Sequence, residues 1–264
     1  MPPSASESEF QDAVRKAKCI IVVAGAGLSA ASGRVTFQRV GACSMTASSQ
    51  VFQRFVELVA SGANPSFCWQ FYHYRRETAL KCAPNDAHRV LAQLSIPKTL
   101  KKIAPNATSY DLITQNVDGL SPRALRELEA EIMEARGEDR PAKSERPRLD
   151  SITEMHGKLF EVKCSSDDCN WAVEDYTMPL CPALGATSNE LEDIQGGIEN
   201  TEKSIDEKDL PRCAKCGALA RPGVVWFGET PRYMSEINQK VFRADLCLVI
   251  GTSSTVMPIR TFDS

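Results

Sequence analysis

The chain has 264 residues, is 42% hydrophobic and 25% charged, and carries a formal net charge of −3. That balance lacks the basic excess of a nucleic-acid-binding protein, and no apolar run approaches the ~18 residues of a membrane-spanning helix. The length suits one large domain with a smaller satellite.

Residues 1–9 read as a flexible, acidic lead-in with neither the apolar core of a secretory signal nor the arginines of a presequence, so an intracellular protein is expected. Residues 10–17 read as a short helix feeding a strand, Ile20 to Val23, whose continuous β-branched character implies burial on both faces. The strand stops at Gly25-Ala26-Gly27. Glycines at a strand-to-helix turn let the backbone approach a ligand, and the helix N-terminus offers unpaired N–H groups to phosphate. Gly25, Gly27 and Ala30 match the spacing of a dinucleotide fingerprint, yet residues 42–56 hold no acid for a ribose. Nucleotide binding is therefore expected, without ordinary dehydrogenase chemistry.

Arg34 to Cys68 is rich in Ser, Gln and Val and shows no period, although Val51 to Leu58 can be helical. Trp69, Tyr72 and Arg76, like Phe71 and Arg75, fall at helical spacing in an aromatic stretch running to Leu80. Pro84-Asn85-Asp86 opens another helix with the stripe Ala87, Val90, Leu91 and Leu94. A second strand-and-loop unit spans Tyr110 to Leu120, and Ser121-Pro122 reads as cap and first turn of a charged helix ending near Gly137. Glu138 to Arg148 reads as an exposed polar linker. His156 and Gly157 precede an alternating strand, Lys158 to Lys163, and an acidic loop occupies Asn189 to Asp209. Val224 to Gly228 is extended, and Asp245 to Ile250 repeats the opening pattern, ending in Gly251-Thr252-Ser253-Ser254. Strands that end in small or polar loops predict a doubly wound, Rossmann-like parallel sheet of α/β class, with a ligand crevice at their carboxyl ends.

Ten cysteines without a secretory route point to metal binding or free thiols. Cys164 and Cys169, then Cys213 and Cys216, form two tight pairs able to enclose Zn²⁺ tetrahedrally, against the alternative of four unrelated buried cysteines. The four leave no open coordination position, so the zinc is read as structural, with Cys181 as a competing ligand. Cys19 and Cys247 read as core packing residues. The implied domains are residues 10–157 with 218–264 for nucleotide binding, and 158–217 for zinc, carrying the acidic insertion.

In order along the chain, residues 25–33, Thr114 to Leu120, His156-Gly157, the four cysteines, Arg221 to Glu229 and Gly251 to Ser254 resemble the sirtuins, NAD-dependent protein-lysine deacylases. The resemblance covers residues 10–33 and 69–262, and residues 71–77 resemble the class III branch, which prefers malonyl, succinyl and glutaryl lysine. It implies NAD as co-substrate, acylated-lysine proteins as partners, and free lysine, nicotinamide and O-acyl-ADP-ribose as products. His156 takes the place of the general base that acts on a ribose hydroxyl, a role suited to an imidazole titrating near neutrality. Gly25, Ala26, Gly27 and Ser29 fall where phosphate is cradled, Gln115, Asn116 and Asp118 where nicotinamide and ribose are held, and Gly251, Thr252 and Ser253 on the adenosine side. Val224, Val225, Trp226, Phe227 and Gly228 match the segment that pairs with substrate backbone. Tyr72 and Arg75 match the pair that holds an acyl carboxylate.

Residues 33–38 depart from the family pattern, with Val35 replacing a proline and Gln38 an arginine, and the pattern resumes only at Trp69. Arg39, one position off, is a substitute for the missing arginine near phosphate. The chain also ends soon after Ser254, where relatives continue. These departures keep open a catalytically impaired zinc- and NAD-binding protein, or ADP-ribosyl transfer to protein. By family resemblance the compartment is the mitochondrion, with cytoplasm or nucleus as the alternative.

Overall fold

Every residue of β1 (Cys19–Ala24) after Cys19 is buried. A strand buried on both faces needs helices above and below it. The computed structural model, which describes residues 6–32, 64–186 and 204–252, supplies them. β1 pairs in parallel with β2 (Ser109–Thr114) on one side and β7 (Leu246–Ile250) on the other, and β2 pairs in parallel with β3 (Ile152–Glu154). The order β3-β2-β1-β7 reverses direction of growth at β1, which sets a crevice at the carboxyl ends of β1 and β7. On one face Ile20, Val22, Ala24, Tyr110 and Leu112 pack against Leu91 of α4 (Asp86–Leu94) and Leu100 of α5 (Pro97–Ile103). On the other, Val23, Ile113 and Met155 meet Ile237 of α8 (Met234–Arg243).

Local chemistry sets the helix ends. α1 (Glu7–Lys16) begins earlier than expected, because the Ser6 hydroxyl accepts the Glu9 N–H at 3.4 Å, so the flexible lead-in does not extend to residue 9. After β1, α2 (Ala26–Ala30) is a short helix. Asn64 caps α3 (Pro65–Lys81), accepting the Phe67 N–H at 2.9 Å, and Asn85 caps α4 as predicted. α6 (Leu120–Arg136) is capped differently from the sequence reading. Its Leu120 N–H bonds the Asp118 carboxylate at 2.9 Å, Gly119 turns the chain at φ +74°, and Ser121 lies buried inside the first turn. Linker 138–148 docks rather than projecting: Pro141 and Pro147 are buried, and Glu145 accepts from Lys98 at 2.7 Å and Arg136 at 3.1 Å.

The smaller module is an antiparallel sheet in the order β5-β4-β6, built from β4 (Gly157–Cys164), β5 (Ala172–Glu174) and β6 (Ala220–Val224). Because Ala220 and Pro222 pair with Cys164 and Val162, this module runs to Val224, past the boundary at 217 read from the sequence. The short α7 (Pro182–Gly185) adds Leu184 to its core, with Trp69, Val162, Leu210 and Ala220. α3 packs on this smaller sheet: Trp69 donates to the Ala220 carbonyl at 2.9 Å, and buried Arg76 donates to the carbonyls of Leu159, Asp175 and Thr177.

Two positions correct or sharpen the sequence reading. Cys247 is exposed rather than packed, since α8 covers β1 and β2 but leaves the Cys247 and Val249 side of β7 open. Gly157 sits at φ +81°, and a Cβ there would stand 2.2 Å from the Gly223 carbonyl oxygen. Gly157→Ala is therefore expected to cost on the order of 3 kcal/mol in chemical denaturation, from backbone strain plus overpacking. The helix considered at 51–58, most of the aberrant 34–68 stretch, residues 189–203 of the acidic loop, and Ser253 lie outside the described residues.

Candidate functional site

Four loops meet at the carboxyl end of the parallel sheet: those after β1, β2, β3 and β7. The first and last interlock. Gly25 and Gly27 donate their N–H groups to Ile250 and Gly251 carbonyls at 3.0 and 2.7 Å. A Cβ on Gly27 would lie 2.7 Å from the Gly251 Cα, and one on Gly251, at φ +63°, would lie 2.2 Å from the Leu28 nitrogen. These glycines are thus required by loop-on-loop packing, and two amides expected to be unpaired are already committed. Ala26 and Gly27 nevertheless face solvent.

The loop after β2 completes the floor. Asn116 donates its amide to the Gly25 carbonyl at 2.9 Å and to the Ser29 hydroxyl at 3.1 Å. Ser29 in turn donates to Asp118 at 2.8 Å, so its buried hydroxyl points inward instead of outward to a phosphate. Thr252 donates to the Gln115 Oε1 at 3.2 Å. The Gln115 Nε2 is buried and has no partner among the described residues. An orphaned amide donor beside a glycine turn fits a ligand that brings an acceptor, as the carboxamide of nicotinamide does.

His156 projects from the turn between β3 and β4, and this turn is pinned on three sides. Met155 N–H bonds the Thr114 carbonyl at 3.1 Å, Leu159 N–H the Val117 carbonyl at 2.8 Å, and Val225 N–H the His156 carbonyl at 2.8 Å. The His156 Nδ1 lies 3.2 Å from the Gln115 carbonyl oxygen. A carbonyl only accepts, so Nδ1 carries the proton of the neutral ring and Nε2 is left as the basic atom. Burial lowers the His156 pKa below the ordinary imidazole value, and the Gln115 carbonyl acts in the opposite direction.

Beside this turn, Tyr72 is buried in a cluster with Phe67, Cys68, Phe71, Val117, Leu159 and Val224, against which Trp226 packs. Burial pushes the Tyr72 phenol up to about 12, opposed by the Arg75 guanidinium, so it remains a hydrogen-bond donor at neutral pH. Arg75 lies on the following turn of α3, 5.7 Å from the Phe71 ring. Val225, Trp226, Phe227 and Gly228 follow β6, with Phe227 and Gly228 exposed.

The four cysteine sulfurs lie within 4.8 Å of one another, with Cys164 to Cys216 at 3.5 Å and Cys169 to Cys213 at 3.7 Å. Zn–S bonds of ~2.3 Å place tetrahedral sulfurs roughly 3.8 Å apart. The Ser166 N–H points to the Cys164 sulfur at 3.4 Å and the Lys215 N–H to the Cys213 sulfur at 3.3 Å, which favours thiolates. All four sulfurs fit one structural zinc ion. Cys181 caps α7 and packs in the module core, outside this group.

One histidine in this region reads from the sequence as an ordinary core or surface residue. His88 is buried with Asp118 as the charge that raises its pKa, while burial, the larger effect, lowers it. Its Nδ1 accepts the Asn85 N–H at 3.4 Å, which closes a capping box at the start of α4. Behind the loop lies a separate cleft of about 380 Å³ with largely paired charges, Lys158 with Glu154 and Glu174, and Arg232 with Glu161.

The Sir2 family model matches residues 25–143 and 144–258. The mitochondrial NAD-dependent protein deacylase sirtuin-5 of Canis lupus familiaris is 35% identical over 273 residues, covering 98% of this chain and 73% of that protein. An NAD-dependent protein deacylase of Candida albicans is 36% identical over 284 residues, covering 96% and 81%. Among solved structures, a Sir2 homologue in complex with NAD superposes with a TM-score of 0.64 at 27% identity, covering 98% of this chain and 78% of that one. With the matched residues running from the glycine turn after β1 through every loop of the crevice, this chain belongs to the Sir2 family.

Proposed function

We propose that this chain is an NAD-dependent protein-lysine deacylase that removes acidic acyl groups, succinyl, malonyl or glutaryl, from acylated protein substrates. The relatives named as NAD-dependent protein deacylases support the reaction class. The acidic preference rests on Tyr72 and Arg75, a buried phenol and a guanidinium on successive turns of α3. A phenol that stays protonated and a guanidinium are both donors, and a terminal carboxylate matches both. An acetyl group brings no terminal carboxylate to them.

NAD, when bound, supplies a glycosidic bond whose cleavage releases nicotinamide and leaves the ribose open to attack by the acyl oxygen. Gly25, Ala26 and Gly27 would hold it at the β1 turn, with Thr252 and Ser253 on the adenosine side and Gln115, Asn116 and Asp118 towards nicotinamide and ribose. Ser29 acts through Asp118 and Asn116, to which its hydroxyl is bonded. His156 takes a proton from a ribose hydroxyl at Nε2 while Gln115 holds Nδ1. The segment Val224 to Gly228 pairs with substrate backbone, and the Val225 bond to the His156 carbonyl keeps substrate and base in register. The relatives named mitochondrial support the same compartment here.

Rates on succinyl- and acetyl-lysine peptides test the reading. Arg75→Met is expected to lower the succinyl-to-acetyl ratio of kcat/KM by about 10- to 100-fold, the worth of a charge-assisted hydrogen bond. An intact chain that prefers acetyl, or a ratio unmoved by the substitution, would contradict it.

A further inference from the structure

After Val224 the chain leaves β6 and enters the segment set above against substrate backbone, and two side chains close that segment into a fixed shape. Arg221 reaches forward from the sheet. Its guanidinium bonds both Glu229 carboxylate oxygens, at 2.6 and 3.1 Å, and donates to the Val224 carbonyl at 3.1 Å. The same group lies 3.5 Å from the centre of the Trp226 ring. Glu229 in turn accepts the Trp226 backbone N–H at 2.9 Å, and its own N–H donates to the Trp226 carbonyl at 3.0 Å. That last bond closes a four-residue turn whose third residue, Gly228, sits at φ +89°, a conformation that favours glycine.

Every partner in these contacts lies within residues 221–229, so they tie β6 to no other element. Their effect falls on the path of the chain beyond the sheet. An isolated surface ion pair contributes little, but this one is bidentate and stacked on an indole, with the Arg221 side chain only 17% exposed. Burial acts to raise the Glu229 pKa, yet the bonds from Arg221 and the Trp226 amide hold it below the ordinary carboxylate value. The pair therefore stays ionised at neutral pH. The Val225 bond to the His156 carbonyl anchors the start of the segment, and the Arg221–Glu229 clamp shapes the rest. Trp226 spends its own N–H and C=O inside the clamp, so it contributes shape rather than pairing. A segment shaped before its partner arrives loses less freedom on association, which tightens binding.

We propose that Arg221 and Glu229 are positioning residues for the acylated peptide, holding residues 224–229 in the shape that receives it and acting through that segment rather than on NAD. The inference rests on the backbone-pairing reading above.

The test measures binding of a fluorescein-labelled succinyl-lysine peptide by anisotropy and of NAD by calorimetry, on the intact chain, Arg221→Met, Arg221→Lys, Glu229→Gln and the Arg221→Met/Glu229→Gln double variant. Each single variant is expected to weaken peptide binding by about tenfold while NAD affinity and zinc content stay unchanged. Arg221→Lys should not rescue, because an ammonium keeps the charge but loses the planar fork and the stack. The double variant should bind as the singles do, since the two side chains act as one unit. In turnover the loss should fall on KM for peptide and spare kcat. Glu229→Gln, which keeps the side-chain shape, carries the test if Arg221→Met fails to fold. Peptides N-methylated in turn at the residues flanking the acyl-lysine report on the pairing itself. If they bind the intact chain more weakly while the Arg221 and Glu229 variants bind the parent peptide normally, the clamp is overturned and the pairing reading stands. Peptide and NAD affinities that fall together would also overturn the clamp. N-methylated peptides that bind as tightly as the parent, or an intact chain that binds no peptide, would overturn both.

Discussion

His156→Ala is expected to lower the rate of NAD-dependent deacylation by about 10²- to 10⁴-fold, the usual contribution of a positioned general base. The side chain is half-buried and its ring is oriented by one hydrogen bond to the Gln115 carbonyl, so removing it leaves the surrounding backbone bonds in place. Thermal melting of the variant should therefore stay close to that of the intact chain. The pH profile carries a second signature. A base works deprotonated, and burial lowers the pKa of this imidazole. The acid limb of kcat/KM is thus expected below the ~6.5 of an ordinary histidine, with activity retained as pH falls to that point and lost beneath it. A limb above that value, or a rate untouched by the alanine, would remove His156 from the reaction.

Loss of zinc should be as damaging, by a different route. Structural zinc contributes roughly 10–16 kcal/mol of apparent binding free energy in small zinc-finger peptides. Here it would draw together Cys164 at the end of β4, Cys169 beyond it, and Cys213 with Cys216 ahead of β6. β6 runs directly into the segment containing Trp226, and Val225 is bonded to the His156 carbonyl. A chelator, or Cys213→Ser, is therefore expected to unfold the smaller module and abolish activity, although the cluster itself does no chemistry. Metal analysis should find one zinc per chain. Unchanged circular dichroism and rate after stripping the metal would contradict the structural role.

Much of this architecture was legible because burial on two faces leaves a direct mark. The run Ile20 to Val23 has no polar face, and only the centre of a covered parallel sheet accommodates it. The cysteine spacing was equally direct, since closely spaced thiols can reach one ion. What escaped depends on the direction of single hydrogen bonds. Ser121-Pro122 has the composition of a cap, yet Asp118 performs that task because Gly119 turns the chain back first. Ser29 carries a hydroxyl suited to phosphate, but Asp118 lies nearer. The glycines at 25 and 27 read as clearance for a ligand, and part of that clearance is taken up by Gly251 from a strand more than two hundred residues away. The module boundary at 217 was misplaced because β6 pairs backward with β4, a fact of register and not of composition.

The most direct measurement is a product analysis of the chain incubated with NAD and a succinyl-lysine peptide, by mass spectrometry. The account predicts nicotinamide, unmodified lysine peptide and succinyl-ADP-ribose in equal amounts. NAD consumed with the peptide still succinylated, or ADP-ribose attached to protein in place of the succinyl product, would contradict it.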